Sequence, residues 1–272
     1  MSIKMIAVDM DGTFLNRESK YDHERFLKVY EQLKQKNIRF VVASGNPYKQ
    51  LQGNFEEIKD ELTYIAENGA YIIDKQKELY LASLDQTNIT KIIQKLKKLP
   101  DVLCWVCTKN QSYTLNSIPK HFYQMFLPYF PGVKKIEDFT MIQDPILKFA
   151  LFLPEKNVEE RINDFMMITD DQVHVVDSGH FCVDIIPSHV NKGEAMRFLM
   201  KHFNIEKDEI MAFGDAGNDK EMLKSVTYGY AMSNAKDEFK NQFNYLAPSN
   251  DEFGVLQVIE KYLEDGSIMN LK

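Results

Sequence analysis

Apolar and polar positions follow two rhythms along this chain. Near-continuous apolar runs at 4–10 ("KMIAVDM"), 38–44 ("IRFVVAS") and 209–215 ("EIMAFGD") lack the alternation of a half-exposed strand and predict strands buried on both faces. Between them, apolar residues recur at helical spacing, as in Phe26, Val29, Tyr30 and Leu33 of "DHERFLKVYEQLKQK". After the second run, Asn46-Pro47 predicts a helix N-cap with proline at the first helical position, followed by a helix carrying Leu51, Phe55 and Ile58. "TYIAENGAYIID" (63–74) predicts two strands around an Asn-Gly hairpin turn. From 191 the rhythm resumes with helix "NKGEAMRFLMKHF", strand "EIMAFGD", helix "DKEMLKSV", strand "YGYAM" and helix "FGVLQVIEKYLED". Buried strands alternating with helices imply a parallel sheet covered on both sides.

The middle of the chain is different. A helix with Ile89, Ile92, Ile93 and Leu96 leads to the strand "VLCWVCT", a helix around "PKHFYQMFLPYF", the strand "ILKFALFL", and a helix through Val158, Ile162 and Phe165. The strands "QVHVV" and "FCVDII" then pair around Asp177-Ser-Gly-His180. Paired antiparallel strands with helices on one face form an α+β layer. The expectation is therefore an α/β protein whose doubly wound, Rossmann-like parallel-sheet core comprises 1–82 and 188–272, with an α+β domain, 83–187, inserted into it.

Composition narrows the function classes. With 272 residues, 44% of them hydrophobic, the chain can bury a substantial core. A net charge of -7 without a dense Lys/Arg block argues against nucleic acid or an anionic membrane as partner. No apolar run approaches membrane-spanning length, and the stretch at the N-terminus is too short for a secretory signal, so a cytoplasmic location is expected. The three cysteines fit a reducing compartment. Cys104-x-x-Cys107 matches a metal or redox spacing, but residues three apart in a strand face opposite sides, and no second pair completes a zinc site.

The chemistry concentrates at strand ends, where open α/β sheets bind their ligands. The first core strand runs into Asp9-Met10-Asp11-Gly12-Thr13. If the extended backbone continues, Asp9 and Asp11 point to one side, a costly arrangement unless a cation or proton lies between them. The alternative is ordinary turn chemistry, since Asp caps its own backbone and Gly accepts positive φ. The second strand ends in Ser44-Gly45-Asn46 and a later one in Gly214-Asp215-Ala-Gly-Asn218-Asp219. A helix starts at Asn191-Lys192-Gly193, where a lysine opposes the helix dipole unless an anion is present. Each feature alone is explicable as a turn or cap.

Together, "DMDGT", "VVASGN", "NKGEA" and "FGDAGND", in that order and with a separate α/β domain between the second and third, resemble the haloacid dehalogenase-like (HAD) phosphatases. The similarity is to the Cof-type group with a C2-type cap, particularly bacterial sugar-phosphate phosphatases; it spans essentially the whole chain and includes "IAENGA" (65–70). It implies an Mg²⁺-dependent phosphatase acting on a small phosphate monoester, with Asp9 as nucleophile and Asp11 as general acid and base. It further implies metal ligation by Asp9, the Asp11 backbone carbonyl and Asp215, and phosphate binding by Ser44, Gly45, Lys192 and Asn218, with Asp219 orienting Lys192 or a metal-bound water. Many relatives have Thr-Gly-Arg where this chain has Ser44-Gly45-Asn46, so a phosphate-binding arginine is not assumed. His180 and Lys148 are candidates for touching the leaving group; the bland alternatives are a turn residue and a solvated strand lysine. Two other functions compete. A phosphosugar mutase would yield isomerised phosphosugar instead of free phosphate; a non-catalytic phosphate sensor would not require the second carboxylate.

Overall fold

The computed structural model describes residues 2–153, 158–179 and 181–272. The chain divides into two compact units, the first comprising Met1–Gly45, Glu57–Leu79 and Asn191–Lys272, the second Asn46–Glu56 and Tyr80–Val190. Relative to the 1–82/83–187/188–272 expectation, residues 46–56 group with the second unit.

The first unit is built on an eight-stranded sheet. Its strands are β1 (Met5–Val8), β2 (Arg39–Ala43), β3 (Thr63–Ala66), β4 (Tyr71–Asp74), β5 (Lys77–Leu81), β12 (Ile210–Gly214), β13 (Tyr228–Met232) and β14 (Tyr245–Ala247), in the order β14-β13-β12-β1-β2-β3-β4-β5. The five strands from β13 through β3 all run parallel, with Val8 opposite both Phe213 and Val42. Every residue of β1, β12 and β13 is buried, the consequence of apolar side chains on both faces. β3 and β4 form the antiparallel hairpin that Asn68-Gly69 implied.

Helix α1 (His23–Gln35) buries Phe26, Val29, Tyr30 and Leu33. Burial of each contributes roughly 1.5–3 kcal/mol. Asp22 caps α1 by accepting from the Arg25 amide, an interaction of about 1 kcal/mol. Helix α6 (Lys192–Phe203) is capped the same way by Asn191 and ends on Asn204 in the left-handed conformation.

The second unit centres on a six-stranded sheet ordered β10-β11-β9-β6-β7-β8, comprising β6 (Leu103–Thr108), β7 (Ser112–Leu115), β8 (Lys134–Ile136), β9 (Ile146–Phe152), β10 (Val173–Gly179) and β11 (Cys182–Pro187). All pairs are antiparallel except β7 with β8. Helices α3 (Gln86–Leu96) and α5 (Val158–Ile168) pack on one face, burying Ile92, Ile93 and Phe165 among Cys104, Phe149 and Ile185.

Three details correct the sequence reading. Helices do not keep to one face: Phe122, Tyr123 and Phe126 of α4 (Lys120–Phe126) pack on the other, against Trp105 and Cys107, because alternate residues of β6 are apolar on both sides. Helix α2 spans only Tyr48–Gly53 with Pro47 at the cap and no side-chain cap bond, so Phe55 and Ile58 lie in the turns beyond it. Asp177–Gly179 belong to β10, not to a turn, because pairing with β11 continues with a register shift between Asp177 and Gly179. His180 lies outside the described residues.

Candidate active site

Parallel pairing places the carboxyl ends of β1, β2, β3 and β12 along one edge of the first unit's sheet, so Asp9, Ser44, Glu67 and Asp215 emerge there. β1 stops at Val8 and the chain folds back at once, the amides of Phe14 and Leu15 donating to the Met10 carbonyl at 3.1 and 2.9 Å. Strand alternation therefore does not relate Asp9 to Asp11; a turn does. Asp9 is buried and Asp11 exposed. Gly12 permits this turn for two reasons. Its φ is +82°, and a β-carbon there would lie 2.5 Å from Asp215 Oδ2.

Lys192 is completely buried at the first position of α6, its Nζ donating to Asp9 Oδ1 at 2.5 Å and to Asp219 Oδ1 at 2.6 Å. The anions that offset its unfavourable place on the helix dipole are thus the protein's own carboxylates. Asp219 is fully used: its Oδ2 accepts from the amides of Asp215 and Ala216 at 3.0 and 3.1 Å. Thr13 Oγ1 donates to Asp215 Oδ1 at 3.0 Å. Asn218 is exposed, and its Nδ2 donates to Asn68 Oδ1 at 3.2 Å. Ser44 is buried.

The electrostatics are those of an acid cluster. Burial, reinforced by the charge of Asp219, pushes the Asp9 carboxyl well above the usual range; Lys192 opposes this, and Asp215 and Asp11 add smaller upward effects. Burial and Asp219 likewise push Asp215 up to about 6 against the Thr13 hydrogen bond. Lys192 is held above its ordinary value because, although burial lowers it, the carboxylates of Asp219 and Asp9 outweigh that. One carboxylate oxygen from each of Asp9, Asp215 and Asp219 lies within 4.8 Å of the others. With Asp219 engaged by Lys192 and two amides, Asp9 and Asp215 are the carboxylates left to face a cation. An all-oxygen donor set with crowded acids fits a hard divalent ion such as Mg²⁺, and lacks the nitrogen and sulfur donors zinc prefers.

A profile of haloacid dehalogenase-like hydrolases matches residues 6–259. The chain belongs to that family. It is 37% identical to the 5-amino-6-(5-phospho-D-ribitylamino)uracil phosphatase YbjI of Escherichia coli K12, over 97% of both chains. The crystal structure of SMU.1108c from Streptococcus mutans superposes with a TM-score of 0.89 at 38% identity, covering 96% of this chain and 99% of that one. The HAD subclass IIB sugar phosphatase BT4131 superposes with a TM-score of 0.80 at 20% identity over 95% and 98% of the two chains, a likeness of fold alone.

The structure thus brings Asp9, Asp215, Asp219 and Lys192 into one cluster, with Ser44 and Asn218 both bonded to Asn68. Lys148 is buried in the second unit, its Nζ 3.3 Å from Asp184 Oδ2 on the neighbouring strand, rather than solvated. Cys104 and Cys107 belong to apolar clusters on opposite sheet faces. Thr13 and Asn68 were present in the motifs without an assigned role. "DGT" signals the first, and an Asn-Gly turn at the end of a core strand signals the second. Among the described residues, no helix is long and apolar enough to cross a membrane.

Proposed function

We propose that this chain hydrolyses phosphate monoesters of small metabolites, sugar and polyol phosphates foremost, through an aspartyl-phosphate on Asp9 and with Mg²⁺ as cofactor. The observation that carries this reading is the buried Lys192 clamped between Asp9 and Asp219 at the carboxyl edge of the sheet. A lysine with that burial and two acids fixes one carboxylate as a nucleophile while leaving its second oxygen for other partners.

An Asp9 oxygen forms the bond to phosphorus as the bond from phosphorus to the leaving oxygen breaks, and Asp11 gives that oxygen a proton. Asp11, now a base, takes a proton from water; the water oxygen attacks the same phosphorus, the bond to Asp9 breaks, and orthophosphate leaves. Asp11's exposure suits it to exchange protons with both leaving group and water. The Ser44 hydroxyl, the Gly45 amide and Asn218 donate to the transferring oxygens as fixed dipoles, and Lys192 as a fixed positive charge. Mg²⁺, held by Asp9, the Asp11 carbonyl and Asp215, would supply neutralisation of phosphoryl charge. Asp219 holds Lys192. The choice among substrates is assigned to the second unit.

The relative's substrate supports the substrate class: its phosphate is carried on a ribityl chain, a sugar-derived polyol. The test is phosphate release with Mg²⁺ across hexose, pentose, polyol, nucleotide and cofactor phosphates, including 5-amino-6-(5-phospho-D-ribitylamino)uracil. Sugar or polyol phosphates are expected to lead. Release from none of them would end the reading, and isomerised phosphosugar in place of orthophosphate would favour a mutase.

A further inference from the structure

The turn after β3 holds two consecutive non-glycine residues at positive φ, Glu67 at 51° and Asn68 at 56°, both buried. Asparagine tolerates that region better than most residues, so its presence eases a conformation that the segment needs. Asn68 reaches two elements of the candidate site from this position. Its amide nitrogen donates to the Ser44 carbonyl at 3.0 Å, and its side chain lies so close to Gly45 that a β-carbon there would come within 3.0 Å of both Nδ2 and Oδ1. Its Oδ1 accepts from Asn218 Nδ2, linking segments 150 residues apart. One hydrogen of the Asn218 amide is thereby committed, which fixes the amide plane and the direction of the other hydrogen. Asn218 is otherwise an exposed side chain on a short turn, with rotamers to sample.

We propose that Asn68 is a positioning residue of the phosphate site, acting through the side chain of Asn218 and the Ser44-Gly45 backbone. This rests on the reading of Asn218, Ser44 and Gly45 as phosphate donors. The same short turn thus closes a hairpin and aligns donors from two other strand ends.

The test is a double-mutant cycle. Asn68→Gly keeps the positive φ at no steric cost and removes the side-chain amide. kcat/KM for a sugar phosphate and competitive inhibition by orthophosphate are measured for wild type, Asn68→Gly, Asn218→Ala and the double variant. Asn68→Gly is expected to lose about tenfold in kcat/KM and to weaken orthophosphate inhibition by a similar factor, whereas in the Asn218→Ala background it should cost less than about threefold. Losses that multiply, or unaltered kinetics in Asn68→Gly, would overturn the proposal. A measurement on wild type needs no variant to fold well: the Asn218 side-chain amide should show a higher ¹⁵N order parameter than other exposed asparagines, and averaging like theirs would refute it. A wild-type chain that releases no phosphate sinks the hydrolase reading, while the order parameter still decides whether Asn68 holds Asn218.

Discussion

Replacing Lys192 with methionine, similar in length and uncharged, leaves Asp9 and Asp219 facing each other without their shared cation. Lys192 is 0% exposed and its Nζ stands 2.5 and 2.6 Å from the two carboxylates, so water cannot replace it without rearrangement. Breaking a buried pair by removing one partner costs about 3–5 kcal/mol, and here two acids lose the same partner. Asp9, whose carboxyl burial already pushes up, can escape part of that cost by binding a proton. In wild type, Lys192's raised pKa makes its contribution fully present below its unfolded value and lost only at high pH, so it is constant from pH 5 to 8. The pH dependence of the difference therefore comes from Asp9. In the variant its folded-state pKa, already raised by burial and the charge of Asp219, loses the opposing effect of Lys192 and rises further above the unfolded value, so the native state binds more protons than the unfolded and stability recovers as pH falls. Urea unfolding in chelator, followed by far-UV circular dichroism because the single tryptophan, Trp105, lies in the second unit, should show a loss of about 3–5 kcal/mol at pH 8 and a clearly smaller one near pH 5. A loss below about 1 kcal/mol at pH 8, or equal losses at both pH values, would refute the reasoning.

Other outcomes follow from the same geometry. Gly12→Ala combines a φ of +82° with a β-carbon 2.5 Å from Asp215 Oδ2 and should weaken Mg²⁺ binding at least about tenfold by titration calorimetry; unchanged affinity would contradict the contact. Asp215, pushed up to about 6 by burial and Asp219, must lose its proton to bind a cation, so the apparent Mg²⁺ affinity should fall about tenfold from pH 7 to pH 5, read by thermal shift. Thr13→Val removes the 3.0 Å bond to the ionised Asp215 and should raise its pKa and cost about 1 kcal/mol in Mg²⁺ binding, with no change in substrate ranking.

The buried strands were legible because their residues are apolar on both faces: Phe40, Val41, Val42 and Ala43 admit no other placement. The strands that the pattern missed, β5, β7, β8 and β14, are short or lie at or near sheet edges, where side chains such as Lys77, Glu78, Lys134 and Lys135 stay exposed and leave no apolar run. Turn chemistry misled at Asp177–Gly179, where ladder pairing with β11 overrides residue preference. At the site, Asp9, Asp215 and Lys192 could be found because each follows a strand or starts a helix in a recognisable motif. The bond from Asn218 to Asn68 and the pairing of Lys148 with Asp184 could not, since both depend on how separate segments fold together.

If Asp9 is the nucleophile, a covalent bond between its carboxylate and phosphorus forms during turnover and can be trapped. Acid quench of the wild-type chain during turnover of a good phosphoryl donor with Mg²⁺, followed by peptide mass mapping, should place one phosphoryl group on Asp9. Asp9→Asn should yield neither adduct nor turnover, while Asp11→Asn should still accumulate the adduct when the leaving group needs no proton. Phosphate on Asp11, or full turnover in Asp9→Asn, would rule out Asp9 as the nucleophile.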